Sequence, residues 1–260
     1  MTAMSVPQNN DLTQQNDSEF VSRGPCRLCG KLFTKAAMTT HLKACFPKHT
    51  AAPPDGKPMA RGFLLLVDGG RYAPEYWLHL AAPVDATFGA LDSVLRDIWL
   101  ECCGHMSAFR FPQRKAQRAT PKSLANIFSN TFDVDQAMDE DEKLMGKTLA
   151  SKFRVGSRVT HDYDFGTTTT LEVRVVAGIE MPVAKKSGIR FLARNEPPPI
   201  PCGQCGAPAA WVCSECMYAG TGWVCKKCRR THSCGEDMLL PVVNSPRVGQ
   251  CGYCGPSREP

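Results

Sequence analysis

Residues 63–82 read FLLLVDGGRYAPEYWLHLAA, and the fold turns on them. FLLLVDG (63–69) is a short apolar run closed by glycines, and YWLHLAA (76–82) is a second apolar run. Runs of this length bounded by turn residues read as strands, and Gly69-Gly70 with the residues after them supply the turn between the two. From Thr87 the spacing changes: Phe88, Leu91, Val94, Leu95, Ile98 and Trp99 recur at helical intervals, which predicts an amphipathic helix to about Glu101. HMSAFRF (105–111) alternates like a strand. SRVTHDYDFG (157–166) and LEVRVVAG (171–178) read as a hairpin, and Arg190–Arg194 as a last strand. A helix is expected over Lys122–Phe128 and a helical turn over Lys147–Lys152. Two strands, a helix and further strands predict an α+β fold with a mostly antiparallel sheet and packed helices.

Cysteine dominates what lies on either side. Of the fourteen cysteines, most come as C-x-x-C pairs, which suit a metal better than disulfide bridging. CRLCGKLFTKAAMTTHLKAC offers Cys26, Cys29, His41 and Cys45, with a two-residue gap, eleven residues and then three between the ligands. Thr34 can cap a helix that carries His41 and Cys45 on one face. Phe33, Met38 and Leu42 would form its small core, and a unit this small needs a metal to fold. This resembles a ββα zinc finger with cysteine as its fourth ligand.

The C-terminal stretch carries Cys202/Cys205, Cys213/Cys216, Cys225/Cys228 and Cys251/Cys254, with His232 and Cys234 among them. Trp-Val-Cys-x-x-Cys occurs at 211–216 and again at 223–228. Two C-x-x-C turns close a tetrahedral zinc site with no open position, so this end holds a fold together and does not catalyse. Consecutive pairs could close ribbon-like sites, or alternate pairs could interleave as a cross-brace. The short spacers favour Cys202, Cys205, Cys225 and Cys228 for one zinc, and Cys213, Cys216, His232 and Cys234 for another. Cys251 and Cys254 are left over, or replace His232 and Cys234. The expected complement is one zinc in the finger and two in the C-terminal module.

The expected layout is a disordered tail over 1–24, a zinc finger over 25–46, a linker over 47–60, an α+β domain over 61–195, a proline hinge (EPPPIP, 196–201) and a cysteine-rich zinc domain over 202–256. The N-terminus offers no basic segment followed by an apolar run, and no apolar stretch reaches membrane-spanning length, so a reducing, cytoplasmic compartment is expected. Net charge is +6, concentrated locally. Arg114, Lys115 and Arg118 lie in an acid-free stretch, and Lys226, Lys227, Arg229 and Arg230 form a second basic run. Both could contact phosphates, and residues 133–142 are acidic. Asp162 and Asp164, two apart on a predicted strand, are the one paired-carboxylate arrangement open to an enzymatic reading. Cys102-Cys103 has no ligand spacing and reads as a pair of buried structural thiols. No phosphate-binding loop, dinucleotide motif, HExxH or G-x-S-x-G is present.

YWLHL (76–80), the helix ending in IWLE (98–101), HMSAFRF (105–111) and YDFG (163–166) together resemble the bacterial Ri-plasmid open-reading-frame-three-like family over residues 62–194. LLPVVNSPR (239–247) and CGY (251–253) resemble a tail found on some members. The resemblance implies an α+β fold and a mobile-element association, and no activity. The chain departs from the family in Thr167–Thr170, where Asp, Trp and His are usual, and in having His105 alone where many members have two histidines. These features together predict a non-enzymatic zinc protein that binds nucleic acid, or else an adaptor that grips a protein partner with its zinc modules. An enzyme using Asp162 or Asp164 comes third.

Overall fold

The computed structural model describes residues 20–50, 58–112, 134–182 and 188–256. Its centre is a six-stranded, wholly antiparallel sheet. The strands are β3 (Met59–Gly69), β4 (Ala73–Pro83), β5 (Ser107–Arg110), β6 (Arg158–Tyr163), β7 (Thr169–Pro182) and β8 (Arg190–Arg194), in the order β5-β6-β7-β3-β4-β8. β1 (Arg23–Pro25) and β2 (Leu32–Thr34) belong to the N-terminal finger, ahead of helix α1 (Lys35–His49). The fold is therefore α+β with a mostly antiparallel sheet, as the residue patterns predict.

The unbroken apolar run of β3 has a simple cause: both faces of the strand are covered. Phe63, Leu65 and Val67 point to one face, with Tyr76, Leu78 and Leu80 of β4 beside them. Helix α2 (Phe88–Leu95) lies on that face through Phe88, Leu91 and Leu95, and a single π-helical turn, Arg96–Leu100, continues it with Ile98 and Trp99. Thr87 caps α2, its Oγ1 accepting from Ala90 N at 3.0 Å. Leu64, Leu66, Trp77 and Ala81 point to the other face, where the finger lies. Met38, Leu42 and Phe46 of α1 are fully buried there.

The finger is thus a layer of the fold. Met38 and Leu42 do not close a private core with Phe33; they join the sheet's second core. Arg27 N donates to Leu192 O at 2.8 Å, Glu196 N to Arg23 O at 2.7 Å, and Cys26 bridges Ala193 of β8. Gly24 is required by this approach, because a Cβ there would sit 1.8 Å from Arg194 O. Lys35 pairs with the buried Asp68 at 3.2 Å. Several expected boundaries move accordingly. Strand β1 begins at Arg23, inside the stretch expected to be disordered; α1 runs to His49 and β3 starts at Met59, both inside the expected linker. Residues 1–19, the expected helix over Lys122–Phe128, and Arg114, Lys115 and Arg118 lie outside the described residues. Where an acidic run alone was evident, helix α3 spans Val134–Met145.

His79 of β4 sits wholly buried between sheet and finger, with Thr39 Oγ1 2.7 Å from its Nε2. Burial pushes this imidazole down to about 3, Asp68 opposing and Arg174 and Lys35 adding to the effect. The folded chain therefore keeps His79 neutral while the unfolded chain titrates it at the ordinary 6.5, so the unfolded state binds one more proton between about pH 6.5 and 3. Stability falls as pH drops through that window, by up to about 1.4 kcal/mol per pH unit. His79→Gln, which can still reach Thr39, is expected to flatten the acid limb of stability against pH by one proton relative to the parent chain. Metal ligands titrate identically in both proteins, so superimposable slopes in urea titrations would refute the assignment.

Candidate metal centres

Cys26, Cys29, His41 and Cys45 place their ligand atoms within 4.8 Å of one another. Cys29 Sγ lies 3.3 Å from His41 Nε2. A tetrahedral ion with arms of about 2.0–2.3 Å has ligand-to-ligand edges of about 3.3–3.8 Å, so this is coordination spacing. The first knuckle is built by Gly30, whose φ of 73° lets its N–H return to Cys26 O at 2.7 Å. The helical half is set by Thr34, which caps α1 from an extended conformation and accepts from Ala37 N. Phe33 stacks on His41 with ring centroids 4.1 Å apart. Burial and the nearby Lys31, His49 and Lys48 charges hold His41 below its ordinary value, in the neutral form a metal ligand requires.

The C-terminal stretch gathers two further sets. Cys202, Cys205, Cys225 and Cys228 form one, and Cys213, Cys216, His232 and Cys234 the other. The pairs interleave along the chain. The Trp-Val-Cys repeat explains how. Strands β9 (Trp211–Cys213) and β10 (Trp223–Val224) pair antiparallel, Trp223 opposite Val212, so each repeat delivers its cysteines to a different centre. Strand β11 (Leu239–Pro241) closes the other side of β9. Cys205 Sγ lies 3.6 Å from both Cys225 Sγ and Cys228 Sγ. Cys216 Sγ lies 3.4 Å from Cys234 Sγ and 3.8 Å from His232 Nε2. Burial pushes the Cys202 thiol up, but backbone N–H groups of Gln204, Cys225 and Cys205 aimed at its sulfur bring it down to about 6. Cys213 is brought to about 7 against the same opposition from burial, by N–H groups of Cys216 and Glu215 and by His232. The neighbouring thiols Cys234 and Cys205 push Cys216 and Cys228 the other way, up to about 12, so each set pairs a thiolate-favouring knuckle with crowded sulfurs that a thiophilic cation between them would relieve.

A fourth set departs from expectation. Cys102, Cys103, His105 and Cys251 also bring their ligand atoms within 4.8 Å. Cys103 is exposed and Cys102 half-buried, so the two are not the buried structural thiols that their lack of spacing suggests. Cys251 is not a spare of the C-terminal module, whereas Cys254 joins none of the four sets. Each set could hold a metal ion.

The basic run around the third C-x-x-C pair is partly committed. Arg229 lies over the Trp211 ring at 4.7 Å and pairs with Glu236 at 3.1 Å. Lys226, Lys227 and Arg230 are exposed. Trp211 and Trp223 are half-buried, and Val212 and Val224 are fully buried at the module's centre.

Asp162 and Asp164 do not share a strand face. Strand β6 ends at Tyr163, and Asp164 takes a left-handed φ of 64° in the turn that follows. Its carboxylate accepts from Gly166 N, Thr167 N and Thr167 Oγ1, and pairs at 2.6 Å with the fully buried Arg247. Asp162 accepts from Thr170 Oγ1 at 2.7 Å. A network without any sequence motif lies nearby: Asp92 accepts from Ser107 Oγ at 2.6 Å and lies 2.7 Å from His161 Nε2. Because the carboxylate stands between the hydroxyl and the imidazole, the imidazole does not touch the hydroxyl as a general base must. Asp92 and Ser107 line an open cleft of about 550 Å³ that neither Asp162 nor Asp164 reaches.

No family model matches the chain, and no curated protein matches it. Among solved structures it is similar to the crystal structure of a protein of unknown function, MM3350 from Methanosarcina mazei Go1. The two are 15% identical, over 52% of this chain and 67% of that one, with a TM-score of 0.34. A likeness this low carries no argument. No helix among the described residues is long and apolar enough to cross a membrane.

Proposed function

We propose that the chain is a non-enzymatic zinc protein that binds nucleic acid through its C-terminal module. Zinc is the metal that sets of four cysteines, or of three cysteines and one histidine, at tetrahedral spacing fit best, with one ion in the finger and two in the C-terminal module. Closed sets of this kind hold structure and leave function to the surface. The observation that carries the reading is the knuckle at Cys225–Cys228, which raises Lys226 and Lys227 into solvent with Arg230 beside them. No acidic residue occurs from Met217 to Gly235. The finger is the weaker candidate reader. Its helix is spent on the sheet, and the residues it turns outward near its start are Ala36, Ala37 and Thr40, with none of the long side chains that read base edges.

Fluorescence anisotropy of the metal-loaded chain against random duplex DNA and single-stranded RNA, at two salt concentrations, tests this. Binding is expected to weaken steeply with salt and to disappear on chelation. Changing Lys226, Lys227 and Arg230 together to alanine is expected to lower the salt slope by about one for each phosphate that is no longer neutralised. No binding at low salt would sink the proposal.

A second reading, a protein-interaction adaptor, is favoured by Tyr218 and Met238, large side chains that the small module leaves 72% and 37% exposed. Co-purification of a protein partner without nucleic acid would establish it. Residence in the cytoplasm and association with a mobile element belong to the same proposal; the second is supported by the resemblance of residues 62–194, and the gene neighbourhood of close homologues would test it.

A further inference from the structure

We infer that Cys102, Cys103, His105 and Cys251 form a fourth metal site, which takes a thiophilic tetrahedral divalent cation and pins the C-terminal segment to the central sheet. The three sites already described lie each within one module, but this one joins residues from the end of the α2 helical stretch, the approach to β5 and the far end of the chain. His105 Nε2 and Cys251 Sγ, 146 residues apart, lie 3.2 Å from each other.

Each side brings its ligands by separate means. Gly104, at a φ of 71°, turns the chain between Cys103 and His105, and its N–H donates to Glu101 Oε1 at 2.7 Å. On the other side Cys251 stands between two buried anchors, Arg247 and Tyr253. Ser245 Oγ donates to Trp99 O at 2.7 Å, which fixes the segment just before them. Cys251 itself adopts a φ of 44°, a costly conformation for a residue with a side chain, and it directs the sulfur toward His105.

The donor set suits a cation better than a sulfur–sulfur bond. Three thiols and an imidazole converge, all three thiols are free, and two are adjacent in sequence. Three thiolates around a divalent ion leave one net negative charge. Arg247 Nη2 lies 3.5 Å from Cys102 Sγ and favours its thiolate locally, while Asp164, its partner at 2.6 Å, lies 3.7 Å from His105 Nε2, so the ion pair as a whole leaves the net charge with the site. Cys103 and Cys251 are exposed, so this site should exchange its ion more readily than the other three.

The test uses the full chain loaded with Zn2+ and freed of excess metal. Brief alkylation with iodoacetamide, read by peptide mass spectrometry, compares three exposed thiols: Cys103, Cys251 and Cys254. Cys254 belongs to no ligand set and is expected to be alkylated, while Cys103 and Cys251 are protected despite their exposure. Metal content by mass spectrometry is expected to fall by one equivalent in Cys251→Ser and by none in Cys254→Ser. Because both readouts compare sites within one chain or variants of it, they do not depend on nucleic-acid binding or on full loading elsewhere. Alkylation of Cys103 and Cys251 as fast as Cys254 would overturn the inference. So would equal metal content in the two variants, or a disulfide joining two of the three thiols.

Discussion

Cys45→Ser is expected to lower the stability of the whole central domain, and not only to unfold the finger. Cys45 supplies one of four ligands, and a structural zinc contributes roughly 10–16 kcal/mol to the folding of finger-sized peptides. Losing it releases α1 from the sheet. Met38, Leu42 and Phe46, fully buried against Leu64, Leu66 and Trp77, then return to water. Each such side chain contributes about 1.5–3 kcal/mol of burial, and domains are stable by only about 5–15 kcal/mol in total. Tryptophan fluorescence will report the event, because Trp77 lies under the finger and its Nε1 donates to Ser22 Oγ at 2.9 Å. The expected result is a single transition whose midpoint drops sharply in the variant, and at least as far on chelation of the parent, which empties the other sets as well. A central-domain transition that stays where it was while the finger melts separately would show that the two fold independently.

Arg247→Ala is expected to cost about 3–5 kcal/mol, the usual penalty for leaving a buried charge without its partner. The guanidinium is fully buried, pairs with Asp164, donates to Thr167 O and Thr169 Oγ1 at 3.0 Å each, and lies over the Tyr163 ring. Pairing Arg247→Met with Asp164→Asn should recover much of the loss, since two neutral groups leave no stranded charge. A double-mutant cycle in urea measures the coupling, and additive single effects would refute a mutual pair. The pH dependence has a definite sign. Burial pushes the Asp164 carboxyl up, but Arg247 and the N–H groups of Gly166 and Thr167 outweigh it and hold the group well below the usual carboxylate range. The unfolded chain thus binds the extra proton. The stability from this pair is fully present above an unfolded value of 3.8 and is lost only as pH falls below it. The His79 slope opens at about pH 6.5, so it can be read alone above about pH 4, before the Asp164 contribution begins.

The fold was legible wherever periodicity is local. Phe63–Val67 and Tyr76–Ala82 announce strands by their apolar runs, and Phe88 to Trp99 announces a helix by its spacing. Cysteine pairs give their own ligand partners within a few dozen residues, and the interleaving of Cys202/Cys205 with Cys225/Cys228 follows from short spacers. What escaped depends on packing and pairing across the chain. An unbroken apolar strand says that both faces are covered, but nothing in Met38, Leu42 or Phe46 says that the finger is the cover. The stretch 47–60 reads as a linker, yet α1 reaches His49 and β3 begins at Met59; the prolines at 196–201 read as a hinge, yet Glu196 N at their start is tied to Arg23 O. Cys102, Cys103 and His105 carry no motif because their fourth partner lies near the other end of the sequence. Asp164 looked like half of a carboxylate pair because alternation assumes that the strand continues, and it ends one residue earlier.

The way the sheet is closed also constrains how the chain assembles in time. Phe63 of β3 stands opposite Gly178 of β7, and Trp77 N donates to Asn195 Oδ1 across 118 residues. Pairings this remote require large loops to close before any interaction rewards them, which slows folding. During synthesis the finger emerges before the sheet, carrying a metal set of its own and an apolar face whose resting place is not yet made. An ion captured at that stage would keep Met38, Leu42 and Phe46 in one helix until β8 arrives, so metal supply during translation becomes a determinant of yield. The nascent chain is most prone to aggregate in that interval, between the appearance of α1 and the completion of the sheet beneath it.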